Sequence, residues 1–135
     1  MEVTYLNDET KLFKVVNVPF TEDLKEYCES ALKTAREQKE YFTGPLGNDV
    51  FQCSPMPWVT YTHISHTNSG KKENATPLFD WGKYYEKNGE MILPVSDQAH
   101  HSFVDGLHIG QFVDKLQSNS FRWASDSEVM EKRII

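Results

Sequence analysis

The chain has 135 residues, of which 14 are basic and 20 acidic, for a formal net charge of −6. That length suits one small domain with a modest core, and that charge repels a phosphate backbone, so no nucleic acid is expected as a partner. No window approaches the ~18 consecutive apolar residues of a membrane span, so no membrane is expected either.

The N-terminus, "MEVTYLNDETK", lacks the basic-then-apolar layout of a secretory signal, which points to a cytoplasmic protein. "KLFKVVNVPF" is a β-rich run ended by Pro19. Thr21 is expected to cap a helix whose first turn gains from Glu22 and Asp23. Its apolar stripe is Leu24, Tyr27, Cys28, Ala31, Leu32 and Ala35, with Lys25, Glu29, Lys33 and Arg36 outside it. "FTGPLGND" is a loop, marked by Gly44, Pro45 and Gly47. "PWVTYTHIS" has the β-branched and aromatic content of a strand. "NSGKKEN" is a polar excursion.

"TPLFDWGKYYEKNGEMILPVSDQAHH" reads as extended runs about the turn Asn88-Gly89, where positive φ comes cheaply. A helix follows from about Asp105 to Gln117, with Leu107, Ile109, Phe112, Val113 and Leu116 on its apolar side. The tail, residues 118–135, is largely polar, with Phe121 and Trp123 near its start, and is expected to be poorly ordered. The order is β-α-β-β-β-α, with much strand and little helix. Sheet edges and apolar surface on this scale call for a partner subunit or a further piece of the domain. Cys28 and Cys53 match no metal spacing and make no disulfide framework, so both are expected as reduced thiols. Aromatic residues make up 13% of the chain, which suits a core, a pocket or an interface.

The stretch "QAHHSFVDGLHIGQFVDKLQ" crowds His100, His101, Asp105 and His108 at one strand-to-helix junction. If the strand runs through both histidines, alternation sends them to opposite faces. Asp105 then lies at the helix N-terminus, where a carboxylate is favoured. Three readings stay open on these residues alone. His101, Asp105 and His108 are suitable types for zinc or non-haem iron, but no fourth ligand stands out. The histidines are otherwise a hydrogen-bonded pair at a turn. In the third reading His101 is a general base, its pKa near neutrality, backed by Asp105.

"HHSFVDG" resembles the His-His-x-x-x-Asp-Gly signature of coenzyme A-dependent acyltransferases. "SPMPWVTYT", "TPLFDWGKYY", "MILPVSDQAHH" and "DGLHIGQFVDKLQ" are similar to stretches of the chloramphenicol acetyltransferases within that group. The resemblance is strongest over residues 50–117. It implies an α+β fold, a mixed β-sheet flanked by helices, lacking its N-terminal part, so that residues 1–135 make a single truncated acyltransferase domain.

The resemblance also implies a reaction: acyl transfer from acetyl-CoA, as co-substrate, to a hydroxyl of chloramphenicol or a similar alcohol, with no metal. His101 falls on the general base, Ser54 on the donor to the tetrahedral oxyanion, and Asp105 on a supporting carboxylate that transfers no proton. Lys83 and Tyr84 fall near the coenzyme A channel. Ile64, His66, Asn68, Leu78 and Asp80 fall on the acceptor pocket, which is more polar here than in the family. Asp80 replaces a threonine that steadies the transition state, and an extra anion there opposes developing negative charge. Family subunits meet as a homotrimer, with each site at an interface, so His101 would serve a neighbour's pocket. The arginine partner of Asp105 lies in the part the resemblance does not cover, so weakened activity is expected. An inactive remnant that still assembles and binds ligand is the alternative.

Overall fold

The computed structural model describes residues 1–43, 49–66 and 75–125. They fall into two compact units, one up to His100 and one from His101 onward. The first unit contains β1 (Glu2–Leu6), β2 (Phe13–Asn17), α1 (Leu24–Glu37), β3 (Gln52–Pro55), β4 (Leu78–Trp81), β5 (Tyr85–Lys87), β6 (Glu90–Ile92) and β7 (Val95–Gln98). Five of these strands form a mixed sheet in the order β2-β1-β3-β4-β7. The outer pairs, β1 with β2 and β4 with β7, are antiparallel, and the inner pairs are parallel. β5 and β6 form a separate hairpin. Its turn is Asn88-Gly89, with φ of 56° and 82°, the left-handed pair that the sequence led us to expect.

Alternation gives the sheet two faces. Val16, Val3, Cys53, Phe79 and Asp97 share one cross-strand row. Ser54, Asp80 and Ser96 share the next row and project from the opposite face. α1 packs over Val16 and Val18 through Tyr27, Ala31 and Ala35, with Val3 and Tyr5 completing the cluster. These three helical positions are four apart and two are alanine, so the backbone lies close to the sheet. Leu24 and Leu32 of the expected stripe stay exposed.

The helix cap is Asp23 instead of Thr21. Asp23 Oδ1 accepts from the Glu26 N–H at 2.8 Å, while the Thr21 hydroxyl donates to the Asp23 carbonyl at 3.1 Å. At the other end Gln38 Nε2 donates to the Val15 carbonyl at 2.8 Å and ties the helix to β2.

Three strand expectations need correction. β1 was not foreseen. It is short, and it pairs with β2 across a turn in which Asn7 Oδ1 accepts from Glu9 and Thr10 N–H groups, an Asx-type turn that the residue run disguised. Residues 57–65, expected as a strand, form none. Pro55 and Pro57 lack the N–H groups a ladder needs. The chain instead straps along β4. The Met56 N–H donates to the Trp81 carbonyl at 2.8 Å, the Tyr61 hydroxyl to the Asp80 carbonyl at 3.0 Å, and the Lys83 N–H to the Val59 carbonyl at 2.8 Å. Lastly, β7 ends at Gln98 and residues 101–103 form a turn. His100 and His101 lie past the strand, so alternation does not set their directions.

The second unit holds α2 (Gly106–Ser125). It passes the expected stop at Gln117. Ser118 and Ser120 hydroxyls donate to the carbonyls of Asp114 and Leu116, each at 2.8 Å. Back-bonding of this kind keeps short polar side chains compatible with a helix. The stretch expected as a poorly ordered tail is therefore helical as far as Ser125, and 126–135 lies outside the described residues. So do Asn68 and the loop marked by Gly44, Pro45 and Gly47. No helix among the described residues is long and apolar enough to cross a membrane.

Candidate active site

Ser54 sits near the end of β3, half-buried and in register with Asp80 of β4. It lines a cavity of about 200 Å³ whose walls include Tyr5, Phe13, Pro55 and Trp58. A hydroxyl is thus set among aromatic surfaces.

Asp80 is 1% exposed. Its Oδ2 meets His66 Nε2 at 2.7 Å, and its Oδ1 has no hydrogen-bond partner among the described residues. The imidazole of His66 is 36% exposed. Asp80 therefore pairs with a histidine that was itself an expected acceptor residue. Burying a carboxylate sacrifices hydration worth several kcal/mol, which one imidazole offsets only in part. Ile64 lies in the same strap, half-buried, and Leu78 is half-buried in β4. Asp80 also acts at a distance. The Tyr61 phenol is raised by burial first and by the Asp80 charge second.

Gly82 is the residue that sequence reasoning missed. A Cβ there would lie 2.7 Å from the Val59 carbonyl oxygen and 3.0 Å from the Tyr61 ring. The strap can reach β4 only because this position has no side chain. A glycine inside an extended run is the available signal, since it marks close approach of another backbone. Lys83 and Tyr84 follow at once, both exposed.

In the second unit His101 occupies the turn before α2, exposed to solvent. Asp105 caps α2, as its place at the helix N-terminus suggested. Its Oδ1 accepts from the N–H groups of Leu107 at 3.0 Å and His108 at 3.4 Å. In return the Asp105 N–H donates to His108 Nδ1 at 3.2 Å. This is a reciprocal capping arrangement with histidine three residues into the helix. His108 is thereby committed to the helix start. Among the described residues no three His, Cys, Asp or Glu side chains converge as metal ligands, so His101, Asp105 and His108 do not form the centre considered above.

A family profile described as chloramphenicol acetyltransferase matches residues 2–117. The chain belongs to the chloramphenicol acetyltransferase family. The match takes in Ser54, Asp80, Lys83, His101 and Asp105. A chloramphenicol acetyltransferase of Bacillus pumilus is 32% identical over 131 residues, covering 92% of this chain and 60% of that protein. One from Campylobacter coli is 29% identical over 122 residues, covering 84% and 57%. Chloramphenicol acetyltransferase 3 of Escherichia coli is 23% identical over 120 residues, covering 86% and 56%. A solved chloramphenicol acetyltransferase superimposes with a TM-score of 0.75 at 20% identity, over 87% of this chain and 59% of that one. The chloramphenicol acetyltransferase fold is therefore present. The chain spans a little under two thirds of these relatives' length.

Proposed function

We propose that this chain serves acyl transfer from acetyl-CoA to a hydroxyl of chloramphenicol or a similar alcohol. In this reading His101 removes the hydroxyl proton as the oxygen attacks the thioester carbonyl. Ser54 donates to the resulting oxyanion. Collapse breaks the carbon–sulfur bond, the acetyl ester leaves, and the coenzyme A thiolate takes the proton back. Asp105 supports the turn that carries His101, through its cap on α2. Lys83 and Tyr84 attend the coenzyme A. Ile64, His66, Asn68, Leu78 and Asp80 belong to the acceptor side. The copies assemble as a homotrimer in the cytoplasm, and His101 of one copy serves the acceptor wall of the next.

The observation that supports this reading is the family match, which runs through every one of these positions. The test is release of free thiol from acetyl-CoA with chloramphenicol present. A slow, alcohol-dependent rate is expected, reduced by about 10²-fold or more in His101→Ala. A rate that ignores His101→Ala would sink the base assignment. Asp80 favours a second reading, in which the chain binds ligand without turnover. A carboxylate in register with Ser54 opposes an oxyanion forming there. That reading is supported if calorimetry shows chloramphenicol binding while thiol release stays at the buffer rate.

A further inference from the structure

Asp80 is the least expected residue of the sheet. It is 1% exposed, one of its oxygens lacks a partner among the described residues, and its neighbours in register are the small polar residues Ser54 and Ser96. A buried ion of this kind is weak evidence for stability, because an apolar residue of similar volume often serves as well or better. Unpaired buried polar atoms call for an explanation beyond packing. Direct contact with a ligand does not supply it. Oδ1 is inaccessible to a water-sized group. What does reach solvent is His66, 36% exposed and held by the 2.7 Å bond to Oδ2. That bond occupies Nε2 and leaves Nδ1 as the ring's remaining polar atom. The bond to Asp80 restrains the imidazole from its buried side.

We infer that Asp80 is a positioning residue that acts through His66, and that His66 is the group that selects an acceptor by hydrogen bonding to a polar substituent of the alcohol. The inference rests on the acyltransfer reading for the identity of the ligand, and it deepens that reading by naming the acceptor class. Alcohols carrying a second hydrogen-bonding group are favoured over plain aryl or alkyl alcohols. A carboxylate that only repelled the reaction would not need to grip this side chain.

The experiment compares the parent chain with His66→Ala, Asp80→Leu and the double variant. Calorimetric binding of chloramphenicol and the KM values for chloramphenicol and acetyl-CoA are read on each. Loss of one good hydrogen bond predicts about tenfold weaker acceptor binding in both single variants. The acetyl-CoA KM should stay within about twofold, which a general loss of structure would not allow. The double variant should be no weaker than His66→Ala alone, because both act through one bond. Additive losses would overturn the inference by placing Asp80 on the ligand itself. Acceptor affinity within about twofold of the parent in folded variants would also overturn it. If Asp80→Leu does not fold, His66→Ala, at a half-exposed position, decides alone. Binding that responds to His66→Ala without any turnover sinks the catalytic reading and keeps this one. Turnover whose acceptor KM ignores both substitutions does the reverse. A parent chain that binds no chloramphenicol sinks both.

Discussion

At the scale of single residues, burial without a matching partner sets the chemistry. Cys53 shows this. It is buried under α1's face of the sheet, with Met1 Sδ 3.6 Å from its sulfur. Its thiol is pushed up to about 11, first by burial; the N-terminal ammonium lowers it and the Asp80 charge raises it. At pH 8 a group that titrates near 11 is roughly one part in a thousand thiolate, and thiolate is the reactive form. Cys28 is only half-buried. A thiol reagent at pH 8 should therefore label Cys28 first and Cys53 only slowly, with the slow rate rising about tenfold per pH unit below 11. Equal labelling rates for the two thiols of the folded chain would contradict this. Asp80 and Asp105 show the other outcome. Each is an acid with close partners, but Asp105 sits in water on a helix end, where its cap is a local affair. Asp80 is buried, and its side chain bonds to the partly exposed His66.

Between elements, the decisive contact is the strap against β4. Three backbone or hydroxyl bonds and the His66–Asp80 pair join residues 56–66 to residues 80–83. All of them depend on the bare backbone at Gly82. In Gly82→Ala the added methyl group meets the Val59 carbonyl at 2.7 Å, and a carbonyl in a fixed backbone cannot yield as a flexible side chain does. The expected loss is about 2 kcal/mol, within the usual range for overpacking. Urea denaturation reads it as a lower midpoint with little change in slope. A midpoint equal to the parent's would mean that the strap shifts without cost. The same substitution should disturb Ser54 and His66 together, since the strap joins them.

For the whole molecule, uncovered apolar surface is the dominant fact. Leu107, Val113 and Leu116 of α2 are exposed, as are Phe20, Leu24 and Leu32 around α1. The buried apolar core among the described residues comes down to Val16, Val18, Ala35 and Cys53. Small domains with so little buried surface gain stability from association. We expect a trimer, and light scattering should return three times the chain's mass at micromolar concentration. A well-folded monomer there would remove the basis for a site shared between copies.

Much was legible in the residues themselves. The hairpin turn at Asn88-Gly89, the start of α2 at Asp105 and the inner stripe of α1 follow from local chemistry, because φ preference, capping and helical period act within a few residues. The family signature around His101 was legible for a like reason, since it is a short run at fixed spacing. The strap was not. "PWVTYTHIS" has strand-forming side chains, and only the prolines at 55 and 57, set beside a neighbouring strand that already offers its carbonyls, turn it into an irregular cover. The resemblance put His66 and Asp80 in one pocket, but the bond between them was not legible. His66 lies 14 residues away, and nothing local to either residue records that β4 and the strap come together. Long-range pairings of this kind are decided by which surfaces the sheet leaves open, and that is a property of the folded chain alone.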